Sequence, residues 1–283
     1  MGMSSSLTGS YVRALLPKRR AGAWVQAGME RTEVAVGVAV LARYRRLCGF
    51  APDGPGVPAT FPHLTAFPLA MALMTRREFP FPILGLIHLA NEIEQLEPLT
   101  EDQRLGYRVW IEKPREHPKG AAFDVLAEAH DAGDGRIVWR ATSTYLRREK
   151  SPATIGPAAK QHPAVAPPSG AQRWQLPADL GRCYAAVSGD RNPIHLYPAT
   201  ARPFGFRHPI AHGMWTAARC LAALAELAPG LPDRFRLRVE FHAAVPLPST
   251  VLFHATRMTD VRDFSLTSAD TGRRHLHGDL API

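Results

Sequence analysis

Between Tyr184 and Trp215 the chain reads YAAVSGDRNPIHLYPATARPFGFRHPIAHGMW, and this stretch concentrates side chains able to move protons. Asp190 and His195 stand five residues apart within Ser188-Gly189-Asp190-Arg191-Asn192-Pro193-Ile194-His195, where Gly, Asn and Pro favour a constrained turn. Across such a turn a carboxylate and an imidazole can face one pocket. An imidazole with a pKa near neutrality takes a proton from water, and a neighbouring carboxylate holds or relays it, the minimum equipment for general acid-base work. Further on, Pro209-Ile210-Ala211-His212-Gly213 leads into a helical pattern, so amides near Gly213 would point outward from a helix N-terminus and meet an anion. A carbonyl placed there would be stabilised as charge develops on its oxygen. His212, just ahead of the helix, reads as its structural cap.

These residues need elements to hold them. Met214, Ala218, Leu221, Ala225 and Ala228 form a helical stripe that stops at Pro229-Gly230. Strands follow: Phe235, Leu237, Val239, Phe241, Ala243 and Val245 alternate with polar residues, then come a Pro246/Pro248 turn, an extended run at 251–256, Phe264 with Leu266, and a last strand after Gly272. The first half reads the same way. Leu86, Leu89, Ala90, Ile93 and Leu96 fall at helical spacing and predict an amphipathic helix, and strands are expected around 105–111, 123–129 and 137–145. Between them EKSPATIGPAAKQHPAVAPPSGA, residues 149–171, has a linker's composition and divides the chain into 1–148 and 172–283. One helix followed by antiparallel strands, twice, is an α+β duplication.

Composition narrows the classes. Apolar residues make up 46% and charged residues 21%, which suits a folded globular chain. The net charge of +9 favours a polyanionic partner, nucleic acid or a coenzyme A ester alike, but the basic residues form no helical stripe and no aromatic interleaving, so the expectation is no nucleic-acid partner. Three cysteines without a C-x-x-C pair suggest a reducing, cytoplasmic setting, and no apolar run is long enough to predict a membrane span. The twelve histidines include no pair at zinc-site spacing with the needed partners, so no metal is expected; His275 and His277 alternate on a strand as a weak surface possibility. Nucleotide-redox, P-loop and serine-hydrolase motifs are absent from the sequence.

The Ser188 to His195 segment followed by Pro209-Ile210-Ala211-His212-Gly213 resembles the signature of the MaoC-like family, the (R)-specific enoyl-CoA hydratases and related dehydratases. The resemblance implies a double hot-dog fold, each repeat a long helix wrapped by a curved antiparallel sheet. It implies that Asp190 and His195 activate and deliver one water, that the Gly213 amide polarises the thioester carbonyl, and that Ser188, Asn192, Pro209, Ile210 and His212 make up the substrate-binding surround. No metal or redox cofactor takes part in that family; coenzyme A or acyl carrier protein enters as part of the substrate. The first half matches only in layout. Phe61-Pro62-His63-Leu64 stands near the equivalent point without an acid, so this half reads as a degenerate repeat supplying a tunnel wall, with His63 and His88 structural and Gly85 as the relic of Gly213. Relatives often carry a small polar or acidic residue where this chain has Tyr197. The expected partner is an acyl thioester, taken by a monomer acting as a pseudo-dimer or by a homodimer. A hot-dog thioesterase and a non-catalytic acyl-thioester-binding subunit remain the alternatives.

Overall fold

The computed structural model describes residues 28–148, 169–227, 230–258 and 260–283. The first half contains β1 (Gly28–Ala35), α1 (Val38–Cys48), α2 (His63–Met74), β2 (Leu86–Gln95), β3 (Arg104–Ile111), β4 (Arg115–His117), β5 (Gly120–Asp131) and β6 (Ile137–Arg148). The second contains β7 (Gln172–Leu176), α3 (Leu180–Ser188), the short α4 (Pro198–Ala201), α5 (Gly213–Ala225), β8 (Phe235–Phe241), β9 (Ser249–Met258), β10 (Val261–Ser268) and β11 (Arg274–Pro282). All strands join one sheet in the order β1-β3-β5-β6-β2-β8-β11-β10-β9-β7, with β4 on β5. Read outward from its middle, the sheet has the same order on both sides. β2 and β8 form the seam, pairing antiparallel from Ala90↔Glu240 to Gln95↔Phe235. This is the double hot-dog layout, two repeats side by side on a shared sheet. Most of the 149–171 linker segment lies outside the described residues.

The central helices explain themselves by burial. In α5, Met214, Trp215, Ala217, Ala218, Cys220, Leu221 and Leu224 are all buried, and Ala, Leu and Met are strong helix formers. Each large apolar side chain so buried stabilises by about 1.5–3 kcal/mol before the cost of ordering it. The strand faces follow the alternation: Phe235, Leu237 and Val239 of β8 point to the core, as do Leu105, Tyr107, Val109 and Ile111 of β3. β8 ends at Phe241, short of Ala243 and Val245, because Val245 is drawn to Ala211 instead through Ala211 N–H to Val245 O at 2.9 Å. α5 likewise ends at Ala225, before Ala228, which lies outside the described residues.

One element differs from the sequence expectation. Residues 86–96 are not a helix; Leu86–Gln95 is strand β2. A β-bulge between His88 and Ala90 slips the alternation by one residue, so the inward positions run 86, 88, 91, 93 and 95, and with Leu89 and Ala90 beside them they imitate helical spacing. The real central helix is α2, which is apolar on nearly all sides and carries Pro68 inside it. A helix buried all round shows no amphipathic stripe, and Pro68 reads as a breaker. Gly85 (φ +89°) therefore turns into a strand and is no counterpart of Gly213; the matching place is the start of α2, at Pro62 and His63.

The same register reveals a second relic. α1 and α3 both end at a left-handed glycine, Gly49 (φ +77°) and Gly189 (φ +76°). Cys48-Gly49-Phe50 thus stands where Ser188-Gly189-Asp190 stands in the other half, and the buried Tyr44 matches the buried Tyr184, their rings 6.4 Å apart between packed helices.

Candidate active site

The candidate loop is built from the end of α3. Gly189 takes the left-handed conformation that a Cβ would oppose, closing the helix with its N–H on Ala185 O at 3.0 Å. The Ser188 hydroxyl donates to Tyr184 O at 2.9 Å and accepts from the Asp190 N–H at 3.2 Å, so it is spent inside the loop. Asp190 Oδ1 accepts from the Asn192 N–H at 3.1 Å, an Asx turn, and Asn192 Oδ1 caps the 3₁₀ turn Pro193–His195 by accepting from Ile194 N–H at 3.4 Å. That turn lies tight against α3. A Cβ on Gly181 would come within 2.0 Å of the His195 carbonyl oxygen, so only glycine permits the approach. Arg182 braces the far side, donating to Leu196 O at 3.0 Å and lying 5.0 Å from the centre of the exposed Tyr197 ring.

The second motif segment lies alongside as an extended bracket. Ile210 N–H donates to Ile194 O at 3.0 Å, and Pro209 O accepts from Leu247 N–H at 2.8 Å. His195 Nδ1 is 2.7 Å from Ile210 O. A carbonyl can only accept, so the ring proton sits on Nδ1 and Nε2 keeps its lone pair. Burial pushes the His195 pKa down, opposed by the Asp190 charge and the Ile210 bond, so the ring is neutral near pH 7 and equipped as a base.

His212 does not cap α5: its side chain makes no capping bond. Its ring stacks on that of His195, centroids 3.6 Å apart, and Nε2 donates to the Asp190 backbone O at 3.0 Å. Burial and the neighbouring His195 push its pKa down to about 3. The 3.8 Å approach of Nε2 to Asp190 Oδ2 is therefore a dipole contact and not an ion pair. Donor atoms of Asp190, His195 and His212 all lie within 4.8 Å of one another. A divalent ion could bridge such a set, but each imidazole already commits one nitrogen to a backbone carbonyl. Gly213 opens α5 beside them, with first-turn amides that have no partner within the helix; the Phe241 ring lies 3.1 Å from where a Cβ would sit.

The sequence reading thus brings Asp190, His195 and Gly213 together, with Ser188, Asn192, Pro209, Ile210 and His212 shaping the loop around them. It missed the contribution of the first repeat. His88 stacks between Tyr145 (4.6 Å) and Phe241 (4.8 Å), and His63, His88 and Tyr145 all lie close enough to feel the Asp190 charge. From His63 and Tyr145 a narrow crevice with about 10 Å³ of free volume runs between α2 and the sheet, past Ala70, Val109 and Val125. No local motif could have announced this, because the seam between β2 and β8 joins residues some 150 positions apart. Outside, Arg202, Gly205, Phe206, Arg207 and His208 line an open basin of about 380 Å³ just ahead of Pro209. His275 and His277 do not act together: His275 is buried against Ala243 O at 3.3 Å, while His277 pairs with Asp263 at 2.9 Å.

The MaoC like domain profile matches residues 160–276, the whole of the loop, α5 and most of the second sheet. The 3-hydroxyacyl-thioester dehydratase X of Mycobacterium tuberculosis is 35% identical over 246 residues, covering 86% of this chain and 85% of that one. The chain belongs to the MaoC-like dehydratase family. The crystal structure of HtdX of Mycobacterium tuberculosis superposes with a TM-score of 0.76 at 32% identity, over 91% of this chain and all of that one. The (R)-specific enoyl-CoA hydratase of Aeromonas caviae is 45% identical over 47 residues, 17% of this chain and 35% of that enzyme. A further Mycobacterium tuberculosis protein described as having a double hotdog fold matches in fold alone, at 12% identity and a TM-score of 0.52, over 90% of this chain and 96% of that one. Among the described residues no helix is long and apolar enough to cross a membrane.

Proposed function

We propose that this MaoC-like protein adds water across the 2,3-double bond of an acyl thioester, or removes it from the (R)-3-hydroxyacyl thioester, with Asp190 and His195 acting on one water. The observation that carries this reading is their convergence, within 4.8 Å, at the N-terminus of α5. In the hydration direction the water oxygen bonds to C3 while a proton passes to the His195 Nε2 and Asp190 pair. The electron pair of the double bond shifts through C2 toward the thioester oxygen, where the Gly213 amide meets the enolate charge; the pair then returns a proton to C2. No electron leaves or enters, so the step needs no redox group. His212 positions Asp190 through its backbone carbonyl, and Asn192 holds the turn. The relatives' printed activities, dehydration of 3-hydroxyacyl thioesters and hydration of enoyl-CoA, support the same chemistry here. The Arg202 and Arg207 basin supports a phosphate-bearing carrier, coenzyme A or acyl carrier protein.

The test is to supply the purified chain with crotonyl-CoA and longer 2-enoyl-CoA esters, following loss of the enoyl absorbance and release of free thiol together. Hydration bleaches the absorbance without thiol and yields the (R)-3-hydroxyacyl ester. Stoichiometric thiol release would assign a thioesterase instead, and no turnover at any length would leave only a binding subunit.

A further inference from the structure

The end of α1, in the first repeat, is closed by side chains of α5, in the second. The last carbonyls of a helix have no partner within it, and α1 stops at Gly49, whose N–H returns to Arg45 O. Leu47 O, in that last turn, takes the indole N–H of Trp215 at 3.0 Å. Among the described residues this is the one hydrogen bond that a side chain of α5 gives to the first repeat. Arg219 stands one turn further along the same face of α5. Its Cζ, Nε and Nη1 lie 2.9–3.0 Å from where a Cβ on Gly49 would sit, so the guanidinium lies flat on Gly49, and the centre of the Trp174 ring of β7 is 4.2 Å from it. Its Nη1 is buried with no hydrogen-bond partner. The thiols near it, Cys48 and Cys220, are pushed by burial well above the ordinary range and stay neutral. What offsets the cation is the face of Trp174 and the negative end of α1. Gly49 is thus required twice, by its φ of +77° and by the room that its missing side chain leaves for Arg219. Trp215 follows Gly213 by two residues, in the turn whose amides have no partner within α5. A slide or rotation of α5 would break the Trp215 bond and drive Arg219 off Gly49, so the two contacts fix that helix along and about its axis.

We propose that the last turn of α1 sets where the Gly213 amide points, with Trp215 and Arg219 as positioning residues, so that the first repeat takes part in the reaction without touching the reacting atoms. The inference rests on the hydratase reading above, in which that amide meets the enolate charge. The contacts come from the helix end and not from the loop after it, so Phe50 can stand where the other half has its acid while Gly49 admits no side chain.

The test uses the full chain. Trp215→Phe keeps a ring in the core and removes the donor to Leu47 O; kcat for 2-enoyl-CoA hydration should fall about tenfold with KM held, short of the roughly 10²–10³-fold that outright loss of an oxyanion donor costs. Arg219→Met, which keeps the stem and removes the charge, should lower kcat about threefold in the same way. A merely structural role would lower stability and leave kcat per folded molecule unchanged. A second readout is the carbonyl stretch of enoyl-CoA bound to Asp190→Asn, where turnover is slow. That frequency should lie below the free ester's and return part of the way toward it when Trp215→Phe or Arg219→Met is added, because a misaimed amide polarises the carbonyl less. Parental kcat in the variants, or a bound frequency that neither substitution moves, overturns the inference; should Trp215→Phe fail to fold, Arg219→Met decides by the same two readouts. Parental rates in the variants strike this inference alone, whereas a parent that hydrates no ester strikes the hydratase reading and this inference with it.

Discussion

The two repeats place the same helix pair on the same sheet plan and then fill the turn between those helices differently. In the second, α3 ends in Ser188-Gly189-Asp190 and Gly181 lets the His195 turn close onto the helix, so the loop is held by the same Asp190 and His195 that we propose act on the substrate. In the first, α1 ends in Cys48-Gly49-Phe50, Leu41 fills the place of Gly181, and the loop is held by Arg45. That guanidinium donates to Pro52 O at 2.8 Å and Gly54 O at 2.9 Å, reaches Gly56 O, and pairs with Glu101 at 2.9 Å. One loop is pinned by a neutral imidazole whose other nitrogen stays available; the other by a permanent charge spent on loop carbonyls and Glu101. A duplicated frame can thus be kept for packing while the turn between its helices is refilled with different groups.

The difference can be broken from either side. Arg45→Met should cost about 1–3 kcal/mol, because it leaves the Pro52, Gly54 and Gly56 carbonyls without their buried donor; chemical denaturation should show the loss, with turnover per folded molecule little changed. If activity per folded molecule collapses instead, the first loop is not merely a scaffold. Gly181→Ala should push the His195 turn off α3 and lower kcat by about 100-fold, the effect of an ångström-scale misplacement, while a kcat within twofold of the parent would show that the close approach is dispensable. His212→Phe keeps a ring on His195 but removes the donor to Asp190 O; kcat should fall roughly tenfold with KM nearly constant.

Acid should sharpen the comparison least but across both halves. His63 and His88 in the first repeat and His195 and His212 in the second are all held below the ordinary imidazole range, to about 4, about 3, below 6.5 and about 3 respectively. The unfolded chain therefore binds more protons once the pH drops below 6.5, so stability is full above that value and declines as the pH falls from 6.5 toward 4. Each such histidine contributes at most about 1.4 kcal/mol per pH unit, and His88→Phe should flatten the slope by up to that amount in denaturation curves taken at several pH values.

The candidate loop was legible because its residues are neighbours in sequence and its turn formers, Gly189, Asn192 and Pro193, impose local geometry. The strands of the second repeat were legible for the same reason, since Phe235, Leu237 and Val239 alternate without interruption. What escaped depends on long-range order. The bulge at His88 disguised β2, all-round burial erased the stripe of α2, and Cys48-Gly49-Phe50 shows its descent only when Gly49 is laid over Gly189. His88 and Tyr145 come beside Phe241 across the boundary between the repeats, which no local pattern encodes.

The central claim, that Asp190 and His195 work on a single water, is tested most directly by a double-mutant cycle on enoyl-CoA hydration. Asp190→Asn and His195→Ala should each lower kcat by roughly 10²–10⁴, and the double variant should be about as slow as the worse single one, because either loss already disables the shared step. Losses that multiply in the double variant, or near-parental turnover in either single one, would contradict it.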